Sequence, residues 1–223
     1  MKIALLGATG GTGGEVLTQG LAAGHSITAL VRTPAKLVLK NPALTVIQGD
    51  ATSPADLASA FDSAEVVIST IGNGGFFAQR HPTTFYSATT TAILQAMATA
   101  GVSRLLVVTS SGVEEDPAAP LFYRKLIRPQ LAPTYADMAA AEAAVEASGG
   151  PGTGGDGGDG GGGVAWTLVR PSFLRDGPLK PYRVDDRTNP AGGWKINRSA
   201  VADFLLKEAA AGEWVFKHPA MAH

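Results

Sequence analysis

The sequence predicts an α/β fold, a doubly wound parallel sheet with helices on both faces. Short runs rich in Val, Ile and Leu alternate with helix-compatible segments along the chain. Several of these runs are almost continuously apolar, as expected of strands that are buried on both faces. The first run breaks into glycines spaced three apart, at Gly7, Gly10 and Gly13. Strands that alternate with helices imply right-handed crossovers, and therefore neighbouring strands that run parallel.

The apolar runs place strands at residues 2–6, 27–31, 44–47, 65–70, 104–109 and 165–169, and helices at 11–23, 53–61, 83–100 and 134–148. Ser53 as N-cap and Pro54 at the first helical position give the second helix a clear start. Ser63 and Gly101 end the second and third helices. Ligands of a parallel sheet bind beyond the carboxyl ends of its strands. Functional residues are therefore expected directly after the strands.

Size and composition limit the class of protein. A chain of 223 residues fits a single domain over residues 1–223. An apolar fraction of 45% argues against disorder, and a net charge of −1 gives no nucleic-acid footprint. The absence of cysteine excludes disulfides and thiolate chemistry. The five apolar residues before Gly7 are too few for a signal sequence or a membrane span. We expect a cytoplasmic protein without a membrane or nucleic-acid partner.

Residues 149–163 differ from the rest because eleven of these fifteen positions are glycine. Such a segment has few side chains to bury, so it is expected to form a flexible surface insertion between a helix and the last core strand. A phosphate-binding loop is the alternative interpretation. The segment follows a helix, however, and it lacks the lysine of a P-loop.

The first glycine turn lies between a strand and a helix, an arrangement that aims free backbone N–H groups at a phosphate. After the second strand comes Arg32, where a dinucleotide fold that prefers NAD usually has a carboxylate. With Lys36 nearby, a guanidinium at this position can hold the 2′-phosphate of NADPH. A solvated arginine at a strand end is the alternative. Asp50 follows the third strand, where it could accept from an adenine amino group, and small residues from Ile71 to Gly75 follow the fourth.

Six segments together resemble the atypical short-chain dehydrogenases/reductases, most closely the biliverdin-IXβ reductase (flavin reductase) group and its NmrA-like relatives. The resemblance covers nearly the whole chain except the glycine insertion. It rests on Gly7-Ala-Thr-Gly-Gly-Thr-Gly13, Leu30-Val-Arg32, Gly49-Asp50, Thr109-Ser110, Glu142 with Val169-Arg-Pro171, and Ile196-Asn-Arg-Ser-Ala-Val-Ala-Asp203.

The resemblance implies a Rossmann-like domain with a small C-terminal substrate-side region, and a monomer that reduces a conjugated small molecule with NADPH. Flavins, quinones and tetrapyrrole-like compounds are the acceptors that it suggests. It places Ser110 beside the nicotinamide as the catalytic residue. The NADP(H)-binding residues that it implies are Gly7, Thr9, Gly10, Gly11, Thr12, Gly13, Arg32, Lys36, Asp50, Ala51, Ile71, Gly72, Thr109 and Pro171.

The chain departs from the wider superfamily in its acid–base residues. Typical members carry Tyr-x-x-x-Lys, in which the lysine lowers the tyrosine pKa. Here Tyr123 is followed at that interval by Ile127, and Tyr135 by Ala139. Relatives that keep the pair place the lysine four residues before the helix glutamate, which is Met138 in this chain. Alcohol–ketone chemistry with a tyrosinate base is therefore not expected.

Similar arguments weigh against three further properties. Ser172 follows Pro171 where the reductase group can have a histidine, which argues against carrying over tetrapyrrole specificity from that group. Ser110 lacks the Gly-x-Ser-x-Gly elbow of a serine hydrolase. The four histidines have no metal-ligand spacing, so no metal is expected.

The acceptor is expected to contact residues 73–82 and 113–133. These segments contain Phe76, Phe77, Phe122, Tyr123 and the basic run 124–128. Aromatic rings and cations would suit a flat anionic molecule, although internal packing explains the rings equally well. Two other functions stay open: an NmrA-like sensor that binds nucleotide without turnover, and an isomerase or cyclase on the same fold.

Overall fold

A computed structural model of the chain describes residues 1–73, 81–116, 119–150 and 163–223. Within these ranges the strands are β1 (Lys2–Leu6), β2 (Ser26–Val31), β3 (Leu44–Gln48), β4 (Val66–Ser69), β5 (Arg104–Val108), β6 (Ala165–Pro171), β7 (Phe173–Arg175), β8 (Arg183–Asp186), β9 (Lys195–Asn197) and β10 (Pro219–Ala222). The α-helices are α1 (Gly11–Ala22), α2 (Pro54–Phe61), α3 (Phe85–Ala100), α4 (Arg128–Ala147) and α5 (Arg198–Ala211).

Eight strands form the central sheet, in the order β3-β2-β1-β4-β5-β6-β10-β8. All neighbouring pairs are parallel except β10 and β8, which run antiparallel. In the centre, Ile3 of β1 lies opposite Ile27 of β2 and Val66 of β4. The predicted α/β fold with a mainly parallel sheet is confirmed. The order reverses at β1, so the crevice for a ligand opens beyond the carboxyl ends of β1 and β4.

Helices cover both faces of the sheet because the side chains of each strand alternate. On β1, Ile3 and Leu5 join one apolar cluster, whereas Ala4 and Leu6 join the other. Helices α1 and α5 bury their apolar residues on the first face. Residues of α2, α3 and α4 pack on the second. Each fully buried Leu or Ile contributes about 1.5–3 kcal/mol, so this two-sided burial accounts for much of the fold's stability.

The six predicted strands agree with the structure to within two residues at each end. Three predicted helices do so as well. Ser53 caps α2 by accepting from the N–H of Asp56 at 3.3 Å, and Gly101 ends α3 with φ +70°. The prediction for α4 was wrong at its start. This helix begins at Arg128 rather than at residue 134, and it continues through Pro133.

Pro133 misled the prediction because a proline is usually read as a helix boundary. Its missing N–H removes one hydrogen bond, but residues on both sides keep the helical conformation. A π-helical turn, Tyr123–Ile127, leads directly into the helix. The 121–147 segment is therefore continuously helical and carries its first residues towards the carboxyl edge of the sheet.

The strands β7–β10 and the helix α5 were not predicted. All four of these strands have only three or four residues. Helix α5 is buried on several sides, including Phe204, Leu205 and Glu208, so it shows no clear apolar face. Strands β7 and β9 form a separate two-stranded parallel sheet. These elements build the C-terminal part of the molecule around the end of β6.

Most of the predicted glycine insertion, residues 151–162, lies outside the described residues. Its two ends are close together, because the N–H of Val164 donates to the carbonyl of Ser148 at 3.0 Å. The indole Nε1 of Trp166 also donates to the carbonyl of Gly149 at 2.6 Å. The end of α4 and the start of β6 thus lie close together. Among the described helices, none is long and apolar enough to cross a membrane.

Candidate functional site

The glycine turn after β1 requires glycine at two positions for different reasons. Gly7 has φ +86°, in the left-handed region, and a Cβ there would lie 2.7–2.8 Å from atoms of Thr70. A Cβ on Gly13 would overlap the carbonyl oxygen of Gly7. Thr70 is itself fixed, because its hydroxyl donates to the carbonyl of Leu6 at 2.9 Å. The start of α1 is therefore packed against the ends of β1 and β4 without intervening side chains.

The N-terminus of α1 offers free donors at the carboxyl edge of the sheet. Gly10 is the N-cap, and it has no side chain to satisfy the first N–H groups of the helix. Its own N–H donates to the carbonyl of Gly7 at 2.9 Å. The N–H groups of Gly11, Thr12 and Gly13 have no acceptor within the helix. Helix geometry and dipole together make this a site for an anion.

The predicted residues after β2 and β3 lie next to each other. Val31 pairs with Gln48, and the N–H of Gly49 donates to the carbonyl of Val31 at 3.1 Å, so Arg32 and Asp50 follow adjacent strand ends. The pKa of Asp50 is lowered by hydrogen bonds from the N–H and hydroxyl of Thr52, both 2.8 Å, and further by the charge of Arg32. These bonds use one oxygen of Asp50.

Arg32 is exposed and has no hydrogen bond or ion pair within the described part of the chain. Lys36 ends the 3₁₀ turn Pro34–Lys36 and is also exposed. Ala51, the other predicted residue here, packs against the cluster that contains Leu57. Two cations without a hydrogen-bond or ion-pair partner in the described ranges thus follow β2, where the dinucleotide folds place the adenosine ribose.

Ile71 and Gly72 follow β4, as predicted. The chain is held here by a hydrogen bond from the N–H of Asn73 to the hydroxyl of Tyr86, at 3.2 Å. The predicted acceptor residues Phe76 and Phe77 lie outside the described residues.

Thr109 is buried at the end of β5, and its contacts are with the protein. Its hydroxyl donates to Glu142 at 2.6 Å, and its N–H donates to the carbonyl of Val169 at 2.8 Å. Glu142 also accepts from Arg170 at 2.6 and 3.1 Å. The Nη1 of Arg170 lies 2.8 Å from a carboxylate oxygen of Glu114, as an ion pair. This buried network joins the ends of β5 and β6 to α4 and commits the hydroxyl proton of Thr109 to Glu142.

Ser110 lies beside two tyrosines that the sequence did not connect with it. The hydroxyls of Tyr135 and Tyr123 are 2.8 Å apart, and the ring of Tyr135 packs against Gly112. Burial and the Tyr123 hydroxyl raise the pKa of Tyr135, while a hydrogen bond with Ser110 and the charge of Arg128 act in the opposite direction. Tyr135 is consequently a neutral phenol near neutral pH. It can donate a hydrogen bond, but it is not a tyrosinate base.

Three aromatic rings form an exposed patch near the end of β6, which we call the aromatic patch: Phe122, Phe173 and Trp194. The ring centroid of Trp194 is 6.4 Å from that of Phe122 and 6.5 Å from that of Phe173. The three residues are 50%, 62% and 42% exposed. Lys195 places its ammonium 3.9 Å from the Trp194 ring centroid. Phe173 is only two residues beyond Pro171. Pro171, which was predicted to bind the nucleotide, is buried at the end of β6.

Two buried polar atoms near this edge have no hydrogen-bond partner in the described ranges: Ser172 Oγ and Asn189 Oδ1. The N–H of Ser172 donates to the carbonyl of Met221 at 3.0 Å, and the Nδ2 of Asn189 donates to Ser111 at 3.2 Å. Ser172 thus lies directly after β6, and Asn189 contacts the segment that follows β5. Groups of three or more potential metal ligands are absent from the described residues.

The structure brings the predicted residues to one edge of the sheet, each after its strand, from Gly7 behind β1 to Pro171 at the end of β6. The prediction missed Tyr135, Trp194 and Arg198. Tyr135 was set aside because Ala139 replaces the expected lysine, although its position in α4 brings it to Ser110. No sequence signal pointed to Trp194, because it lies in a stretch without periodicity.

A family model described as NAD(P)H-binding matches residues 7–211. The chain belongs to this NAD(P)H-binding family. Among solved structures, a Rossmann-fold NAD(P)-binding family protein from Shigella flexneri is similar over 100% of this chain and 93% of its own, with 22% identity and a TM-score of 0.72.

Two further structures with the same fold cover 100% of this chain. One is a short-chain dehydrogenase/reductase from Veillonella parvula in complex with NADP, with 16% identity, 94% of its own chain covered and a TM-score of 0.76. The other is a protein from Streptococcus pneumoniae proposed to be an NADH-flavin reductase, with 20% identity, 99% of its own chain covered and a TM-score of 0.70.

The residues of this NAD(P)H-binding protein fit a dinucleotide. The free N–H groups of α1 suit its diphosphate, and the absence of a side chain at the N-cap Gly10 lets that group approach the helix. The edge where β1 and β4 diverge gives the crevice in which such ligands bind. The assignment to the NAD(P)H-binding family thus agrees with the chemistry of the site.

Proposed function

We propose that this protein is an NADPH-dependent reductase of a conjugated small-molecule acceptor such as a flavin or a quinone. One observation carries the proposal. The edge that holds the phosphate-binding turn also holds the Ser110–Tyr135 hydroxyl pair and the exposed aromatic patch. If a nucleotide lay across this edge, its nicotinamide would lie between the phosphate-binding turn and the aromatic patch. The patch is a surface suited to a flat ring.

Preference for NADPH is supported by Arg32 and Lys36. A guanidinium can form a bidentate, charge-assisted pair with a phosphate. Arg32 has no competing ion pair in the described residues, so its charge is available for the 2′-phosphate. Asp50 keeps one carboxylate oxygen free of Thr52, and this oxygen can accept from the adenine amino group.

The reaction that we propose transfers two electrons to the acceptor. The reduced nicotinamide supplies a hydride when bound, and the acceptor takes up that hydride and one proton. Ser110 and Tyr135 would donate hydrogen bonds to the polar edge of the acceptor and stabilise its developing negative charge. Because a conjugated acceptor spreads this charge over many atoms, it needs no tyrosinate–lysine pair. Met138, which is buried, stands where that lysine would be.

The aromatic patch supports a flat acceptor. Its rings come from three separate segments, and each of the three residues is about half exposed to solvent. Exposed aromatic surface of this kind is typical of binding sites, because stacking on a ligand ring recovers the cost of its exposure. The unpartnered Ser172 Oγ and Asn189 Oδ1 lie close by along the chain and suit a ligand with both donor and acceptor groups. The chain would act as a monomer on such a substrate.

The test is an assay of NADPH oxidation with FMN, FAD and a panel of quinones, followed by absorbance. We expect turnover with at least one acceptor and slower turnover with NADH. Tight NADPH binding without turnover on any acceptor would contradict the proposal and favour the nucleotide sensor. Nucleotide that is bound but never consumed, while a sugar or terpenoid substrate is rearranged, would favour the isomerase instead.

A further inference from the structure

Arg198 lies across the first turn of α1, although it is distant in sequence. It is the first residue of α5 and follows β9. A Cβ on Gly11 would be 2.7 Å from the Cδ of Arg198 and 2.8 Å from its Nε. The backbone of Gly11 is helical, so its conformation does not require glycine. A side chain at this position would instead have to displace the end of the flexible Arg198 side chain.

Neighbouring hydrogen bonds fix the start of α5 in this position. The side chain of Gln19, on α1, donates to the carbonyl of Ser199 at 3.0 Å. The hydroxyl of Ser199 donates to the carbonyl of Gly177 at 2.8 Å, and the Nδ2 of Asn197 donates to that of Pro178 at 2.8 Å. The residues on both sides of Arg198 are therefore tied either to α1 or to the 176–178 segment. These bonds fix the residues on both sides of Arg198 and so place the origin of its side chain beside the helix terminus.

The guanidinium of Arg198 still has unused donors. Its Nη1 forms an ion pair with Asp176 at 2.7 Å, and the carboxylate side chain is 91% exposed. Its Nε and Nη2 make no hydrogen bond within the described ranges. Asp176 thus binds the Nη1 of the guanidinium from the solvent-exposed side. The Nε lies beside Gly11, in the first turn of α1.

We propose that Arg198 binds the diphosphate of the nucleotide from the side opposite the α1 amides. A helix N-terminus attracts the anion through its N–H groups, whereas a guanidinium adds a full charge and two parallel donors. The proposal rests on the family's nucleotide site and is independent of the acceptor. It gives the molecule two arginines with separate tasks. Arg32 recognises the phosphate that only NADPH has, and Arg198 binds the group that NADPH and NADH share.

The two tasks can be separated by calorimetric titration of the full chain with NADPH, NADH, ADP and adenosine. For Arg198→Ala we expect affinity for NADPH, NADH and ADP to fall by about tenfold each, since one charge-assisted contact is lost. The preference for NADPH over NADH should stay unchanged, and Arg198→Lys should recover part of the affinity. Lys180→Ala, which removes an exposed cation two residues beyond the 176–178 segment, is the matched control for charge.

Thermal melting of Arg198→Ala without ligand separates a folding defect from a binding defect. We expect its midpoint to stay close to that of Lys180→Ala. Unchanged affinity for ADP in Arg198→Ala would overturn the proposal, as would a loss confined to NADPH. Failure of the wild-type protein to bind ADP would overturn it too. None of these results depends on turnover of an acceptor, so they are distinguishable from failure of the proposed reductase activity.

Gly11→Ala provides a second variant that keeps the arginine. The added methyl group must push Arg198 off the first turn, while alanine itself suits a helix. We expect weaker binding of ADP than in the wild type. Combined with Arg198→Ala, the two losses should be clearly less than additive, because both remove the same contact. Full additivity would show that Gly11 and Arg198 act independently, contrary to the proposal.

Discussion

The nucleotide side and the acceptor side of this site are built in different ways. On the nucleotide side, the turn after β1 is made from backbone atoms, and glycine is required because side chains would collide there. On the acceptor side, the surface is made from side chains of the helical segment 121–147, of the segment after β6 and of the 187–195 stretch. The first side depends on a short continuous sequence. The second exists only when distant segments are folded together.

The largest effect is expected from Gly13→Val, which tests the backbone character of the nucleotide side. A branched side chain would overlap the carbonyl of Gly7 and separate α1 from β1. We expect a loss of at least about 4 kcal/mol in the free energy of unfolding, in the range reserved for severe overpacking. Urea denaturation followed by circular dichroism measures it.

Gly14→Ala is the control for that experiment. A Cβ at this position would lie 3.8 Å from the carbonyl of Ala8, an ordinary contact. Alanine in a helix is favoured over glycine by roughly 0.5–1 kcal/mol, so this variant should be as stable as the wild type or more so. A similar loss for both variants would show that the turn does not depend on the absence of a side chain at position 13.

Arg32→Asp tests whether the nucleotide side also carries the cofactor preference. The substitution replaces a cation with a carboxylate that repels a 2′-phosphate and can accept from a ribose hydroxyl. NADPH affinity should fall by about tenfold or more, about 1.4 kcal/mol, with little loss for NADH. Paired titrations with the two nucleotides measure this. Equal losses for both would mean that Arg32 has a structural role.

The difference between the two sides also explains what the sequence could and could not predict. The turn from Gly7 to Gly13 and the residues after the strands could be located because each follows a recognisable apolar run. The N-cap Ser53 and the helix-ending Gly101 are local signals too. Trp194 and Arg198 become significant only through neighbours far away in sequence, Phe122 in one case and Gly11 in the other.

Helix α4 shows the same limit in a single element. Its later part was predicted from composition, but Pro133 concealed its first turn and a half. The contact of Tyr135 with Gly112 depends on that first part of the helix being in place. The Ser110–Tyr135–Tyr123 cluster was therefore missed together with the true start of the helix.

Trp194→Ala tests the acceptor side alone. Removing the central ring of the aromatic patch should raise the KM for the acceptor by about fivefold, or about 1 kcal/mol of stacking, and leave the affinity for NADPH unchanged. The wild-type indole, 42% exposed, should also lose fluorescence when the acceptor binds. Leu179→Ala removes a comparably exposed apolar side chain outside the patch and should change neither value. A rise in KM for both variants would mean that the patch has no specific role.

The smallest effect is expected from Tyr135→Phe, which asks whether the acceptor side performs proton chemistry. The raised pKa of Tyr135 means that the folded protein holds its proton to higher pH than the unfolded chain does. The contribution of Tyr135 to stability should therefore begin to fall as the pH rises past about 10, the unfolded value. The Phe variant should show a smaller decline than the wild type, because Tyr86 and Tyr182, whose pKa values are also raised, remain. Below that range the hydroxyl is neutral in both states.

Because the phenol is neutral across the working range, it can only donate a hydrogen bond to the acceptor. We expect Tyr135→Phe to lower kcat by about threefold, the loss of one neutral hydrogen bond, without changing the shape of the kcat–pH profile between about pH 6 and 9. A loss of about a hundredfold, or an ionisation that disappears from the profile, would instead identify Tyr135 as a proton-transfer group. The acceptor side would then share the acid–base chemistry that its missing lysine argues against.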